Sequence, residues 1–256
     1  MAITAFDLDL TSLDRFTMLV YGAYGCGKTH LLGDFLRWAS AQGPVAFINI
    51  KGQEDGELSL VGMGLGAVGI HIDTPGDLEG ALEMLQPKGL VALAVDTLSA
   101  YESAVRVDVI GSDRLPDAKI DGERAKALWG QIKIKTRAGV VASRHAARYV
   151  VWSAPFDRSE DPFGGPGRFL SPDLIGKSSR AAIGWFDLAA LMEAKLVGPG
   201  RVQRTLSLAP RGDAYTRVRL PKPLLKEIDI PEGGGGWARL YEAIQATMPV
   251  PPKEMK

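Results

Sequence analysis

The eight residues Gly22-Ala23-Tyr24-Gly25-Cys26-Gly27-Lys28-Thr29 fit the pattern G-x-x-x-x-G-K-[ST], and no other part of the sequence restricts the fold as much. Ahead of them Phe16 to Tyr21 is mostly apolar, as a buried strand would be; after them Leu31, Leu32, Phe35, Leu36 and Trp38 recur at helical spacing. Strand, glycine loop and amphipathic helix in succession make an α/β unit. Gly22, Gly25 and Gly27 let the backbone curl with its N–H groups pointing inward, and the following helix adds the partial positive charge of its N-terminus. Such a loop takes phosphate. In this reading ATP is held by Gly22, Ala23, Tyr24, Gly25, Cys26, Gly27, Lys28, Thr29 and His30. Lys28 meets the β- and γ-phosphates, and Thr29 offers its hydroxyl to Mg²⁺.

The alternation continues down the chain. Gly43-Pro44 stops the first helix, and Val45 to Ile50 reads as a strand buried on both faces. A glycine-rich stretch from Gly62 to Gly69 leads to a short strand near Ile70 to Ile72, and Thr74-Pro75-Gly76 opens a helix from about Asp77 to Gln86. Leu90 to Val95 is the next buried strand. Residues 111–122 read as an exposed loop, 123–147 as a long helix despite Gly130 and Gly139, and Tyr149 to Ser153 as a strand. Pro155 to Gly167 is expected to be irregular, with strands at Phe186 to Met192 and Val202 to Leu208. The pattern predicts an α/β fold with a mostly parallel central sheet flanked by helices. It divides the chain into an N-terminal extension, 1–15, where Phe6 to Leu10 alternates like a strand, and a core, 16–230. A flexible glycine linker, 231–236, and a C-terminal amphipathic helix with a frayed tail, 237–256, follow.

At 256 residues, with 46% hydrophobic and 23% charged, the chain is long and apolar enough for a sizeable core. Thirty basic and thirty acidic residues cancel, so any affinity for nucleic acid must come from local patches. No apolar run is long enough to span a bilayer, and Met1 to Asp7 lacks the layout of a signal peptide, which predicts a cytoplasmic protein without a membrane partner. Cys26, the single cysteine, reads as a small loop residue, and His30, His71 and His145 have no metal-ligand spacing.

Two further features carry chemistry. Asp96 ends the apolar run Leu90 to Val95, and an acid in that place reaches the water shell of Mg²⁺, so Thr29 and Asp96 are the expected metal residues. The next residue is Thr97, not the Glu that follows this Asp in AAA+ proteins. From Arg124 to Arg148 there are seven basic residues and no acidic one; Lys126, Lys133, Arg137, Arg144 and Arg148 share one stripe of a continuous helix. The stripe is either a solvated face or a contact surface for a phosphate backbone.

The glycine loop, Val45 to Ile50, Asp96-Thr97-Leu98-Ser99, Pro172 to Lys177 and Gly184-Trp185-Phe186-Asp187 together resemble the phage-encoded RecA-like ATPases, a group that includes single-strand annealing and recombination proteins. The resemblance spans about residues 16–220. It implies a RecA-like P-loop NTPase core, a homo-oligomer with ATP between neighbouring subunits, single-stranded DNA as ligand, and phage or host replication or recombination proteins as partners. It also implies that residues 111–122 and 155–169 are DNA loops and that Lys177 reaches a neighbour's nucleotide. Two departures bear on turnover. Lys51 occupies the place where such enzymes carry a water-orienting glutamate, leaving Glu54 as the stand-in beside Lys28 and Asp96 in the catalytic set, with Glu102 next in line. The strand end at Trp152-Ser153 also lacks the Gln or His that senses the γ-phosphate. ATP binding with slow hydrolysis is expected, and a nucleotide-gated binding module acting through a protein partner is the alternative.

Overall fold

Strands buried on both faces lose the alternation of apolar and polar residues, and four such runs build the centre of this sheet. They are β1 (Phe16–Gly22), β2 (Val45–Ile50), β4 (Leu90–Asp96) and the first half of β5 (Ala147–Glu160). The structure is a computed structural model that describes residues 15–51, 59–111, 123–160, 168–175, 178–209, 211–220 and 227–248. The other strands are β3 (Val68–Ile72), β6 (Arg168–Pro172), β7 (Leu188–Gly198), β8 (Arg201–Ser207), β9 (Arg217–Val218) and β10 (Glu227–Ile230). Along the sheet the order is β10-β8-β7-β1-β5-β4-β2-β3, with β6 on β5 and β9 on β7. From β7 to β3 every neighbouring pair is parallel; β8, β10, β6 and β9 add antiparallel pairs. The fold is α/β with a mostly parallel central sheet flanked by helices, an architecture compatible with a RecA-like core.

Helices cover both faces. On one lie α1 (Lys28–Ser40) and α6 (Gly236–Gln245); on the other lie α2 (Pro75–Leu85), α3 (Leu98–Ile110), α4 (Glu123–Ala146) and α5 (Ser178–Ile183). The entry to α2 is fixed by a capping box in which Thr74 and Asp77 exchange bonds, with Pro75 in the first turn. α4 runs unbroken through Gly130 and Gly139. The second glycine has a packing reason, since a Cβ there would lie 2.3 Å from the Tyr101 hydroxyl, so its absence lets α3 approach α4. Among the described residues no helix is long and apolar enough to cross a membrane.

Several sequence expectations shift. β5 continues through Pro155 to Glu160 and pairs antiparallel with β6, so the first part of the segment expected to be irregular is a hairpin arm. Residues 1–14, 112–122, 161–167 and 249–256, on which the N-terminal strand, two DNA loops and the frayed tail were placed, lie outside the described residues in whole or part. The glycine run expected as a flexible linker is a turn fixed from α1. Asp34 accepts N–H bonds from Gly235 at 2.8 Å and Trp237 at 2.7 Å, so one carboxylate caps the start of α6. Trp237 then packs against Phe35 with ring centroids 4.5 Å apart, and Tyr241 against Trp38 at 4.6 Å. The C-terminal helix therefore docks on the chain's own core.

Candidate functional site

Parallel α/β sheets place ligands at the carboxyl ends of their strands, and here the informative residues converge there. β1 delivers the glycine loop into α1, while β4 delivers Asp96, and β5 lies between the two strands. Gly25 and Gly27 have φ of +72° and +101°, backbone that a side chain would strain. Gly22 has a different reason: a Cβ there would fall 2.2 Å from the Met192 carbonyl oxygen on β7. Lys28 is buried and folds over the loop, its Nζ donating to the carbonyls of Gly22 at 3.1 Å and Ala23 at 2.9 Å, with the Tyr24 ring 5.7 Å away. The ammonium sits over the loop's own cradle.

Thr29 and Asp96 meet directly. The Thr29 hydroxyl donates to Asp96 Oδ2 at 2.7 Å, and the Ser153 hydroxyl on β5 donates to Oδ1 of the same buried carboxylate. The cavity above them is lined by Tyr24, Gly25, Gly27, Lys28, Thr29 and His30 from the loop, with Ile50, Asp96 and Pro155 from neighbouring strand ends. Gly22 and Ala23 take part through their carbonyls. The Cys26 side chain turns into the core, where burial pushes its thiol upward, which fits a small loop residue. The sequence marks the Trp152-Ser153 strand end only for its missing Gln or His; the bond from Ser153 to Asp96 has no local signal.

The donor set fits the ligand that the motif implies. A glycine loop at a helix N-terminus with an ammonium suits phosphate, and a hydroxyl with one carboxylate suits Mg²⁺, which takes few protein ligands and keeps water and phosphate oxygens. Among the described residues no group of three or more His, Cys, Asp or Glu could hold a metal by itself.

The remaining site residues part company. Glu54 and Lys177 lie outside the described residues. Lys51 turns away from the cavity and forms an exposed pair with Asp73 at 3.3 Å. Glu102 does not line the cavity; it is buried in α3, where its Oε2 accepts the Ile175 N–H at 2.7 Å and burial pushes its carboxyl up to about 7. It braces the segment after β6. The basic stripe is also shorter than the spacing suggested. Arg148 stands in β5, beyond the end of α4, with its guanidinium 5.2 Å from the Tyr149 ring. Arg144 donates to the Trp185 carbonyl and lies 3.8 Å from Asp187, a carboxylate it shares with Arg219. Lys126, Lys133 and Arg137 remain exposed on α4.

No protein-family model and no curated protein matches the chain.

Proposed function

We propose that the chain binds ATP with Mg²⁺ through Gly22 to Thr29 and Asp96, as a RecA-like ATPase of the phage recombination type that acts on single-stranded DNA as a homo-oligomer. The observation that carries this reading is the cavity at the carboxyl ends of β1 and β4 that Lys28, Thr29 and Asp96 line together, with the Thr29 hydroxyl on Asp96. When bound, ATP with Mg²⁺ supplies a phosphoryl group for transfer to water. The chain's own part is to cradle the phosphates with loop N–H groups, set Lys28 against their charge and hold Thr29 and Asp96 toward the metal. The exposed Lys126, Lys133 and Arg137 are the residues of α4 proposed to meet the DNA backbone.

Lys28→Ala tests the reading. The variant should keep its fold and lose ATP binding at least a hundredfold, measured by titration calorimetry, and steady-state hydrolysis should rise with single-stranded DNA in the wild type. Tight ATP binding by folded Lys28→Ala refutes the loop assignment.

One observation favours the second reading, a nucleotide-gated module with little turnover that works through a protein partner. Among the described residues lining the cavity, Asp96 is the one carboxylate, and Lys51 is turned toward Asp73. Glu54→Gln separates the two readings, because a water-orienting glutamate is worth about 10²–10⁴-fold in turnover.

A further inference from the structure

Arg204 lies on β8, opposite Ala194 of β7 and Ile230 of β10. Its half-buried side chain crosses the sheet edge to the glycine loop, where a Cβ built on Gly27 would fall 3.0 Å from Nε and 3.2 Å from Cδ. A guanidinium so placed would ordinarily have a carboxylate. Yet the Arg204 side chain forms no hydrogen bond or ion pair among the described residues, and three acids of this sheet edge are engaged elsewhere. Glu193 pairs with Arg211, Asp229 accepts from Gln203 at 3.1 Å, and Glu232 accepts the Val202 N–H. At Gly27 it meets the N-terminal end of α1, and it also lines the adjoining cleft with Asp229 and Glu232. A cation set at a helix N-terminus, with no paired carboxylate among the described residues, is poised to take an anion.

We propose that Arg204 is a second cationic ligand for the phosphate chain of the nucleotide, brought to the loop by the chain's own β8. This rests on the reading of Gly22 to Thr29 as a phosphate site. Gly27 is then required twice over, for its positive φ and because any side chain would displace the guanidinium. The fork of an arginine suits two phosphate oxygens at once, which an ammonium cannot match. Sequence spacing hides the residue, since it lies far along the chain from the loop.

Titration calorimetry with ATP and with inorganic tripolyphosphate on wild type, Lys28→Ala, Arg204→Gln and Arg204→Met tests the assignment. Arg204→Gln should weaken both ligands about 10- to 100-fold, the range for a hydrogen bond to a charged group. Arg204→Met keeps the apolar stem against Gly27, so it should melt like wild type without ligand and show the same loss. If Lys28→Ala abolishes binding while both Arg204 variants match wild type, the Arg204 assignment alone is overturned. Weakened ATP with unchanged tripolyphosphate overturns it too, by moving the contact to the base or ribose. Lower ligand-free melting of Arg204→Met overturns it in favour of a packing role. Failure of the wild type to bind either ligand overturns the loop reading and this proposal together.

Discussion

Removing the Asp34 carboxylate should loosen the whole C-terminal helix. The group takes N–H bonds from Gly235 and Trp237, and hydrogen bonds to a charged group contribute about 1.5–3 kcal/mol each. Gly235 is exposed, so water replaces one bond at little cost; Trp237 is fully buried, so its N–H loses its acceptor outright. Asp34→Ala should therefore lower stability by roughly 2–4 kcal/mol, and Asp34→Asn, which retains one acceptor oxygen, by about half as much. For a chain of this size each kcal/mol moves the melting temperature by about 2–4 °C. Urea unfolding followed by tryptophan fluorescence reads the effect directly, because Trp38 and Trp237 both stand in the affected aromatic cluster. An Asp34→Ala midpoint within about 0.5 kcal/mol of wild type at unchanged slope would refute the anchoring role.

Gly22→Ala should yield a destabilised protein that does not bind ATP, because its methyl overlaps the Met192 carbonyl and the loop must shift to admit it; melting and calorimetry together check this. Glu102 is raised to about 7 by burial, so the stability its neutral form confers is fully present below the ordinary glutamate value of 4.5 and is lost as pH rises through about 7. Glu102→Gln should flatten that fall between pH 4.5 and 7 in a series of urea melts. Lys133→Glu with Arg137→Glu should weaken single-stranded DNA binding and reduce its salt slope by about 2 in anisotropy titrations; an unchanged slope returns α4 to a solvated face.

What was legible in the sequence was what is local. β1, β2, β4 and the start of β5 announced themselves as mostly apolar runs, and the glycine loop and Asp96 sit at fixed offsets within a few residues of them. α3 was not read, because it is packed between α4 and the sheet and carries little amphipathic contrast, although Thr97 caps it by accepting the Ala100 N–H at 3.2 Å. Arg148 was misplaced because a spacing of seven and four continues past Ala146, where the backbone has already turned into a strand. Asp34, Ser153 and Arg204 were silent for one reason. Each acts on a partner that topology, not sequence, brings near, as with the 203 positions that separate Asp34 from Trp237.

The site's geometry depends on the register of β5 more than on any loop. β1 and β4 are not paired; the strand between them aligns Val20 with Ser153 and Val95 with Trp152, and that level puts the Ser153 hydroxyl on Asp96. A slip of one residue would turn Ser153 to the opposite face and carry Trp152, which is buried and donates to Ser143 at 3.1 Å, out of its pocket. The energy that resists the slip is therefore core packing, since moving an indole out of a filled site costs about 3–5 kcal/mol. Asp96 is thus oriented before any ligand arrives, by a serine whose own position is fixed by the tryptophan beside it. Preorganisation of this kind lets a carboxylate meet a metal without first paying for reorientation.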